Sequence, residues 1–501
     1  MFPTLFGEVC HVVLEENFMK PEPEIVKILR EEESHNFQSY YIQQVEKKSF
    51  SSNGGKHNLS SSPASKRKIA HRISLSKKIL ITSLKMLVSD QVFDGENIAK
   101  FEHKFREYLG INYAISTSSG RMALYLILRS LKLKEGSEIL LPAYMLPALP
   151  QVSLYCGLKP IFVDIDPCTL NIDPDDIEKK ITSHSKVILA VHLYGHPCPM
   201  DKIEQLAKKY NLIIIEDCAQ AIGAMYDGKK LGTFGKASYF SFGCAKELNT
   251  YGGGMIATDD VAIYKDVQEK LRQFSWPKKS LLVKRFLHNI FNWLSGLPPI
   301  FDYITYPLLR VAYVFDKEFV FNKTKSNDIL KLSNVSENEF LEKYRFLYTN
   351  FQATIALEQF RNVERHLSIK NNNASFLNEQ LQRHAPMRNN SRCSFYRYCI
   401  KTDSPQVLLH ELFRAGIVTT DGSYVVLPDL DMFRDYRTPC PNARNISTQL
   451  IYLPVQPHLK RGDMVKMAQV LHTYLSSIKH NQDTFPLKEN VKHQLSHSIS
   501  K

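Results

Sequence analysis

The sequence predicts an α/β protein: a large domain built on a mostly parallel sheet covered by helices, and a smaller C-terminal α+β domain. Short apolar runs alternate with helical segments from Lys77 onward, as they do in βαβ units. After residue 336 this alternation gives way to one long helical pattern followed by strand-like segments. With 501 residues, 44% of them hydrophobic, the chain can bury more than one core.

The elements of the large domain follow in order. Phe101 to Leu109 is typical of a helix, Tyr113 to Ser116 of a short strand, and Arg121 to Leu131 of a second helix. Further strands are predicted at Glu138–Leu141, Pro160–Val163, Val187–Val191 and Leu212–Ile215. Helices between them would cover both faces of a mostly parallel sheet.

The C-terminal segment has a different order of elements. Tyr348 to Leu381 predicts one long helix and Gly462 to Ile478 a closing helix. Strands are predicted at Tyr396–Ile400, Ile417–Thr420 and Leu450–Leu453.

We therefore predict five parts of the chain. Residues 49–65 are rich in Ser, Asn and Gly and cannot bury enough apolar surface to offset their ordering entropy. The parts are a largely flexible N-terminal extension at 1–70, a large domain at 71–276, an apolar and amphipathic insertion at 277–335, a small domain with its connecting helix at 336–480, and a polar tail at 481–501.

Within the insertion, one predicted helix from Leu282 to Leu294 separates apolar from polar residues. Its apolar positions are Leu282, Val283, Phe286, Leu287, Ile290, Phe291 and Leu294, and its other face carries Lys284, Arg285, His288, Asn289 and Asn292. Pro298-Pro299 is expected to end it. An aromatic-rich stripe beside basic residues is typical of a helix lying on a membrane surface. The alternative is that the stripe packs on a partner subunit or covers the active site.

Composition narrows the class of protein. The net charge is +13 and the isoelectric point about 9.1, but much of the excess lies in two stretches, 66–78 and 278–285. No nucleic-acid-binding signature accompanies it, so we expect no nucleic-acid partner.

Nine single cysteines without a Cys-x-x-Cys pair favour a reducing compartment. The N-terminus is a poor signal peptide. We expect a cytoplasmic location, with contact at the inner membrane face if the insertion binds lipid.

The residues that carry chemistry surround Lys246. An apolar run ending in Asp217 precedes Ser241 and Lys246 along the chain, and Gly252-Gly253-Gly254 follows. Pyridoxal phosphate needs a lysine amine for its aldehyde and a carboxylate for its pyridine nitrogen. Earlier, a Ser-Gly turn at 119–120 precedes a predicted helix, where N–H groups suit a phosphate.

Each of these residues also has an ordinary interpretation. A Ser-Gly pair is more often only a turn, and Asp217 could cap a helix. Gln220 could hydrogen-bond the cofactor ring or face solvent, and Lys246 could be a surface lysine. The ordered combination is the specific signal.

On these residues the chain resembles the DegT/DnrJ/EryC1/StrS family of pyridoxal-phosphate-dependent aminotransferases, whose best-known members aminate nucleotide-linked keto-sugars. The resemblance spans roughly 75–480. The matching segments are 93–96 with 101–102, 119–120 with 123–124, 162–166, 191–195, 216–221, the Lys246 segment, 441–443 and 453–457.

The resemblance implies a fold-type-I architecture, a homodimer with active sites at the subunit interface, and a role for each matching residue. Lys246 would form the Schiff base and shuttle protons, and Asp217 would pair with the pyridine nitrogen. Gln220 would lie beside the ring. Ser241 and the amides of Gly120 and Arg121 would hold the phosphate.

Five positions depart from the family pattern or leave it open. Arg121 stands where Thr is usual, Arg345 near the position of the partner's phosphate-binding Asn, and Gly243 where His is frequent. The aromatic residue that commonly stacks on the cofactor aligns with Leu146, and Tyr144 lies two residues away.

Two functions follow as hypotheses. The first is an aminotransferase that moves an amino group, with glutamate as the expected donor, to a keto group of a nucleotide-linked sugar or similar polyol. The second is a catalytically weak homologue that binds pyridoxal phosphate and acts as a membrane-localised interaction protein. The complete set of Asp217, Gln220, Ser241 and Lys246 favours the enzyme. No metal is expected.

Overall fold

A seven-stranded sheet forms the centre of the large domain in the computed structural model. In chain order its strands are β1 (Tyr113–Thr117), β2 (Glu138–Pro142), β3 (Lys159–Val163), β4 (Ser185–Val191), β5 (Ile213–Asp217), β6 (Ala237–Ser241) and β7 (Gly254–Thr258). Their spatial order is β1-β7-β6-β5-β4-β2-β3. Only β7 runs antiparallel to its neighbours, so the predicted α/β fold with a mostly parallel sheet is confirmed.

The structure describes residues 68–70, 75–244, 246–315, 335–381, 392–421 and 424–484. The predicted N-terminal extension up to residue 67 lies outside this range. So do residues 316–334 of the predicted insertion and 485–501 of the predicted tail.

The central sheet is buried on both faces because its strands are apolar at successive positions. In β2, Ile139 and Leu141 pack into one hydrophobic cluster, whereas Leu140 packs into the cluster on the opposite face. This continuous apolar pattern is the one expected for parallel strands covered by helices on both sides.

Helices cover the sheet and begin at recognisable caps. Ser119 caps α3, and the Asp260 carboxylate caps α7. The described helices of seven or more residues up to residue 315 are α1 (Lys77–Leu87), α2 (Asn97–Leu109), α3 (Gly120–Ser130), α4 (Ala148–Tyr155), α5 (Pro174–Lys180), α6 (Met200–Tyr210), α7 (Val261–Leu271), α8 (Lys279–Ser295) and α9 (Tyr306–Phe315).

The small domain packs helices on a short antiparallel strand pair, β8 (Tyr398–Lys401) with β9 (Leu450–Leu453). The remaining helices are α10 (Glu337–Tyr344), α11 (Asn350–Phe360), α12 (Val363–Leu381), α13 (Pro405–Arg414), α14 (Pro441–Ser447) and α15 (Arg461–Thr484). Phe376, Leu409 and Leu453 are among the buried residues of its core.

Two predictions for this part were wrong in detail. The expected single helix over Tyr348–Leu381 is two helices, α11 and α12, which are separated at residues 361–362. The strand expected at Ile417–Thr420 covers only Ile417–Val418, which pairs with Ile69–Ala70. The periodicity of apolar residues continues across residues 361–362, so the pattern could not show that α11 and α12 are separate helices.

Asp164 joins the two domains. Its carboxylate accepts hydrogen bonds from the N–H groups of Asn442 (2.9 Å) and Ala443 (2.8 Å) at the first turn of α14. A carboxylate at a helix N-terminus satisfies free N–H groups and interacts favourably with the helix dipole. The contact links two of the segments that carry the family resemblance, 162–166 and 441–443.

In helix α8 of the predicted insertion, the buried and exposed faces do not coincide with the predicted apolar and polar faces. Leu282 and Phe286 are buried, but Leu287 and Phe291 of the same predicted stripe are exposed. Asn289, which was assigned to the polar face, is 2% exposed and accepts a 2.8 Å hydrogen bond from Asn249. The inward face is therefore mixed, because it meets polar groups of the segment that follows Lys246.

After α8 the chain crosses to the small domain. The helix ends at Ser295, and Pro298-Pro299 opens the next short helical turn instead of ending α8. On α9, the hydroxyl of Tyr306 donates to the carbonyl of Phe413 at 2.6 Å. The α8–α9 segment thus contacts both domains.

None of the helices in the described part of the chain has the length and apolar character required to cross a bilayer.

Candidate active site

The turn before α3 lies directly against the end of β6. The hydroxyl of Ser119 accepts a 3.1 Å hydrogen bond from the N–H of Met122. A side chain at Gly120 would begin 3.1 Å from Cβ of Ser241, so glycine permits this close approach. The first N–H groups of α3 and Ser241 are therefore neighbours, an arrangement that suits a phosphate.

Asp217 ends β5 and is 6% exposed. Its Oδ1 accepts from the N–H of Ala219 at 2.8 Å, and its Oδ2 accepts from the hydroxyl of Tyr239 at 2.6 Å. Burial raises the pKa of the Asp217 carboxyl, and these hydrogen bonds with the charge of Lys246 oppose that shift. Turns, and no helix, follow Asp217, so the interpretation of this residue as a helix cap is wrong.

Lys246 is half-buried, which separates it from an ordinary surface lysine. Its Nζ lies 4.6 Å from the centre of the Tyr396 ring. Within the described part of the chain, no carboxylate lies within salt-bridge distance of this amine. The adjacent Glu247 pairs at 2.6 Å with the buried Lys370. The Lys246 amine thus remains available for chemistry.

Three cations influence the Tyr396 hydroxyl group. Burial has the largest influence on its pKa and would raise it, but the charges of Lys246, Arg397 and Lys370 together outweigh burial and lower it. The guanidinium of Arg397 lies 5.3 Å from the ring centre. This side of the site is therefore positively charged.

Gln220 is held by two hydrogen bonds and does not simply face solvent. Its Oε1 accepts from the N–H of Tyr194 at 2.8 Å, and its Nε2 donates to the hydroxyl of Tyr424 at 2.7 Å. Tyr194 in turn bonds the hydroxyl of Tyr452 at 2.5 Å. Gln220 thus connects the site to a cluster of tyrosines between the domains.

A cavity lies among several of these residues. It is lined by residues from the ends of β5 and β6, from the segment after Lys246 and from the small domain, among them Gln220, Ser241, Glu247 and Tyr396. The cavity lies at the carboxyl ends of neighbouring strands, where ligands bind in open α/β sheets.

The five positions that depart from the family pattern or leave it open have distinct environments. The guanidinium of Arg121 lies 4.5 Å from the Tyr344 ring centre. Tyr144 is fully buried and its hydroxyl accepts a hydrogen bond from Tyr194, so it belongs to the tyrosine cluster, whereas Leu146 is half-buried.

The exposed Arg345 lies 5.7 Å from the Phe274 ring centre. Gly243 precedes Lys246 in a turn, and its carbonyl accepts from the Lys246 N–H.

His192, Glu216 and Cys218 form a buried group with metal-ligand atoms close together. Glu216 accepts hydrogen bonds from the N–H groups of Gly232, Phe234 and Gly235 as well as from the His192 ring. These hydrogen bonds satisfy the Glu216 carboxylate and hold the loop after β5 in place. The three residues therefore have a structural role that does not require an ion.

Three residues of the site were not predicted from the sequence. Tyr239 lies two positions before Ser241, and the alternation of side chains along a strand could have placed both on one side. Tyr396 and Arg397 come from the small domain more than a hundred residues later. Only the fold brings them to Lys246, so no local signal marked them.

The residues present fit pyridoxal phosphate. Glycine at position 120 allows the close contact between the α3 N-terminus and Ser241, because a Cβ there would begin 3.1 Å from the Ser241 Cβ. Asp217 offers a buried carboxylate, and Lys246 a half-buried amine free of a salt bridge to any described residue. These three are the phosphate, ring-nitrogen and aldehyde partners that the cofactor requires.

Comparison with known proteins agrees with this chemistry. The model of the DegT/DnrJ/EryC1/StrS aminotransferase family matches residues 73–293 and 331–472, with an unmatched segment between them. A GDP-perosamine synthase of Escherichia coli O157:H7 is 47% identical over 170 residues, which cover 34% of this chain and 47% of that protein. A dTDP-3-amino-3,6-dideoxy-alpha-D-galactopyranose transaminase of Aneurinibacillus thermoaerophilus is 41% identical over 204 residues, covering 40% and 56%.

These alignments span about half the length of the curated relatives. Solved structures match over more of the chain. Helicobacter pylori PseC, an aminotransferase involved in the biosynthesis of pseudoaminic acid, superposes with a TM-score of 0.62 at 21% identity, covering 83% of this chain and 100% of that one. At this identity the similarity shows the fold, which is that of fold-type-I aminotransferases.

Proposed function

This chain belongs to the DegT/DnrJ/EryC1/StrS aminotransferase family, and we propose that it uses pyridoxal phosphate to move an amino group from a carboxylate-bearing donor to a keto group of a nucleotide-linked sugar. The observation that carries the proposal is the convergence of Lys246, Asp217 and the Gly120–Ser241 contact at the carboxyl ends of the strands. The names of the relatives support the sugar acceptor.

When bound, the cofactor would supply an electron-accepting ring that stabilises negative charge at the carbon that loses its proton. Asp217 would hold the proton on the ring nitrogen, and Tyr239 and the Ala219 N–H would keep the Asp217 carboxylate in place. Lys246 would take the proton from Cα of the donor and return it to the cofactor carbon next to the ring. Gly120 and Ser241 would anchor the phosphate.

Arg397 supports an amino-acid donor such as glutamate. Its guanidinium lies 5.3 Å from the Tyr396 ring centre, and Lys246 Nζ lies 4.6 Å from the same centre. In the described part of the chain Arg397 has no carboxylate within salt-bridge distance. A guanidinium that lacks a counter-ion and contacts the same aromatic ring as the reactive amine can bind the donor carboxylate bidentately.

We further propose that the chain is a homodimer, as the family resemblance implies, and that the outer face of α8 touches an anionic membrane surface. Residues 276–315 contain five Lys or Arg and a single acid, Asp302. Leu287, Phe291 and Leu294 are exposed beside Lys284. Apolar and basic groups on one exposed face complement an anionic bilayer surface.

The absorbance spectrum of the purified protein tests the enzymatic proposal. Bound cofactor should absorb near the edge of the visible range, and added glutamate should shift that band, followed by amination of a suitable keto-sugar nucleotide. A panel of nucleotide keto-sugars and keto-inositols would identify the acceptor. A cofactor band that no amino acid alters would contradict the aminotransferase and favour the cofactor-binding homologue.

A further inference from the structure

Two arginines from different helices lie near Tyr344. The guanidinium of Arg121, in the first turn of α3, lies 4.5 Å from the Tyr344 ring centre. Arg285, on α8, is close enough to both residues for their charges to affect it. Burial, the largest influence, lowers the pKa of Arg285; the Arg121 charge lowers it further, and Tyr344 opposes this shift.

Neither arginine has a counter-charge among the residues that the structure describes. No carboxylate there lies within salt-bridge distance of either guanidinium, and Nη1 of Arg285 is buried without a hydrogen-bond acceptor. A buried donor left unsatisfied is costly, and a buried charge more so. An anion bound between the two guanidinium groups would satisfy this donor and balance both positive charges.

The arginines border the turn that opens α3. Nη1 of Arg285 packs so tightly on Gly252 that a side chain there would begin 2.5 Å away. The adjacent Gly253 forms a β-bridge with Ser119, which caps α3. Ser118 donates a 2.5 Å hydrogen bond to the carbonyl of Tyr344. These contacts join the glycine run, the turn and Tyr344 into one structure.

We propose that Arg121 and Arg285 of a single chain form a two-guanidinium site for a phosphoryl anion. The planar fork of arginine suits phosphate oxygens, and the N–H groups of the α3 N-terminus lie next to Arg121. The anion is the cofactor phosphate or the diphosphate of a nucleotide-linked substrate; both present the same chemistry. The inference rests on the proposed function, because that function requires this chain to bind both compounds.

Equilibrium binding distinguishes the two sources. The cofactor-free protein is titrated with pyridoxal phosphate, with pyridoxal, which lacks the phosphate, and with uridine, guanosine and thymidine diphosphates. If the site holds the cofactor, Arg285→Gln should weaken pyridoxal phosphate binding by at least about tenfold and leave pyridoxal binding unchanged. If it holds the substrate, the same variant should weaken only nucleoside diphosphate binding.

Lys284→Gln is the matched control, since it removes the same charge from an exposed neighbouring position on α8. It should bind every compound as the wild type does, and circular dichroism should show both variants folded. Unchanged affinities in Arg285→Gln and Arg121→Gln, with tight binding by the wild type, would overturn the site alone. A wild type that binds none of these compounds would contradict the site and the proposed function together.

Discussion

Tyr239 on β6 donates a 2.6 Å hydrogen bond to Oδ2 of Asp217 on β5, and the register of the two strands places these residues side by side. The hydroxyl fixes the carboxylate from one side, while the Ala219 N–H fixes it from another. The orientation of the proposed partner of the ring nitrogen is therefore set by the sheet itself.

Asp217→Asn should leave a folded protein that binds cofactor but turns over at least about a hundredfold more slowly, because an amide cannot pair with a protonated ring nitrogen. Turnover and cofactor absorbance are measured on the same sample. Tyr239→Phe removes only the orienting hydroxyl and should lower turnover less. Near-normal turnover in Asp217→Asn would refute the assigned role.

Lys246→Ala should abolish covalent attachment of the cofactor. Borohydride treatment of the wild type, followed by peptide mass spectrometry, should find the cofactor on Lys246, and the variant should show no labelled peptide. Lys229→Ala, an exposed lysine elsewhere in the large domain, is the control and should label as the wild type does. Full transaminase activity in Lys246→Ala would show that another amine does the chemistry.

Arg397→Gln should raise the KM for glutamate by at least about tenfold while the KM for the keto-sugar nucleotide changes little, because a charge-assisted bidentate contact to the donor carboxylate is lost. Arg397→Lys should recover part of the donor affinity. Cofactor binding should stay unchanged. A variant that loses affinity for the nucleotide instead of the donor would move Arg397 to the acceptor site.

The double substitution Leu287→Glu/Phe291→Glu should abolish flotation of the protein with anionic liposomes, since it places charge in the exposed apolar face of α8. Phe286 is unsuitable for this test because it is buried and its replacement would disturb the core. Ile81→Glu/Leu84→Glu, on the exposed apolar face of α1, is the control and should float. If the wild type stays in the soluble fraction at low and high salt, this face instead covers a partner subunit.

Lys466 should make stability depend on pH. Burial, and next the charge of Lys68, lower the pKa of Lys466 to about 8. The unfolded chain therefore binds more protons between about pH 8 and the ordinary lysine pKa near 10.4, and stability should rise with pH through that window. Lys466→Met should be more stable at pH 7 by on the order of 3 kcal/mol, and the difference in Tm should shrink by pH 10. A constant difference would disprove the linkage.

Strands, helices and turns that depend on the local order of residues could be predicted from the sequence. The strand ending at Asp217 and the Ser-Gly turn before α3 could be placed from apolar runs alone. Contacts between distant segments could not be predicted: Lys246 contacts the ring of Tyr396 only because the two domains pack together. Arg285 looked like part of a solvated helix face, because a pattern of apolar residues shows how a helix is divided but not what covers it.

The position of β1 has a consequence for synthesis of the chain. This strand lies at the sheet edge, and its neighbour in the sheet is β7, which follows more than a hundred residues later. Until the ribosome has delivered residues 254–258, the backbone of β1 has no strand to pair with, and an open strand edge invites association with other chains. Fragments that stop shortly before β7 should therefore aggregate. Fragments that include β7 should aggregate less, because β7 covers the backbone edge of β1.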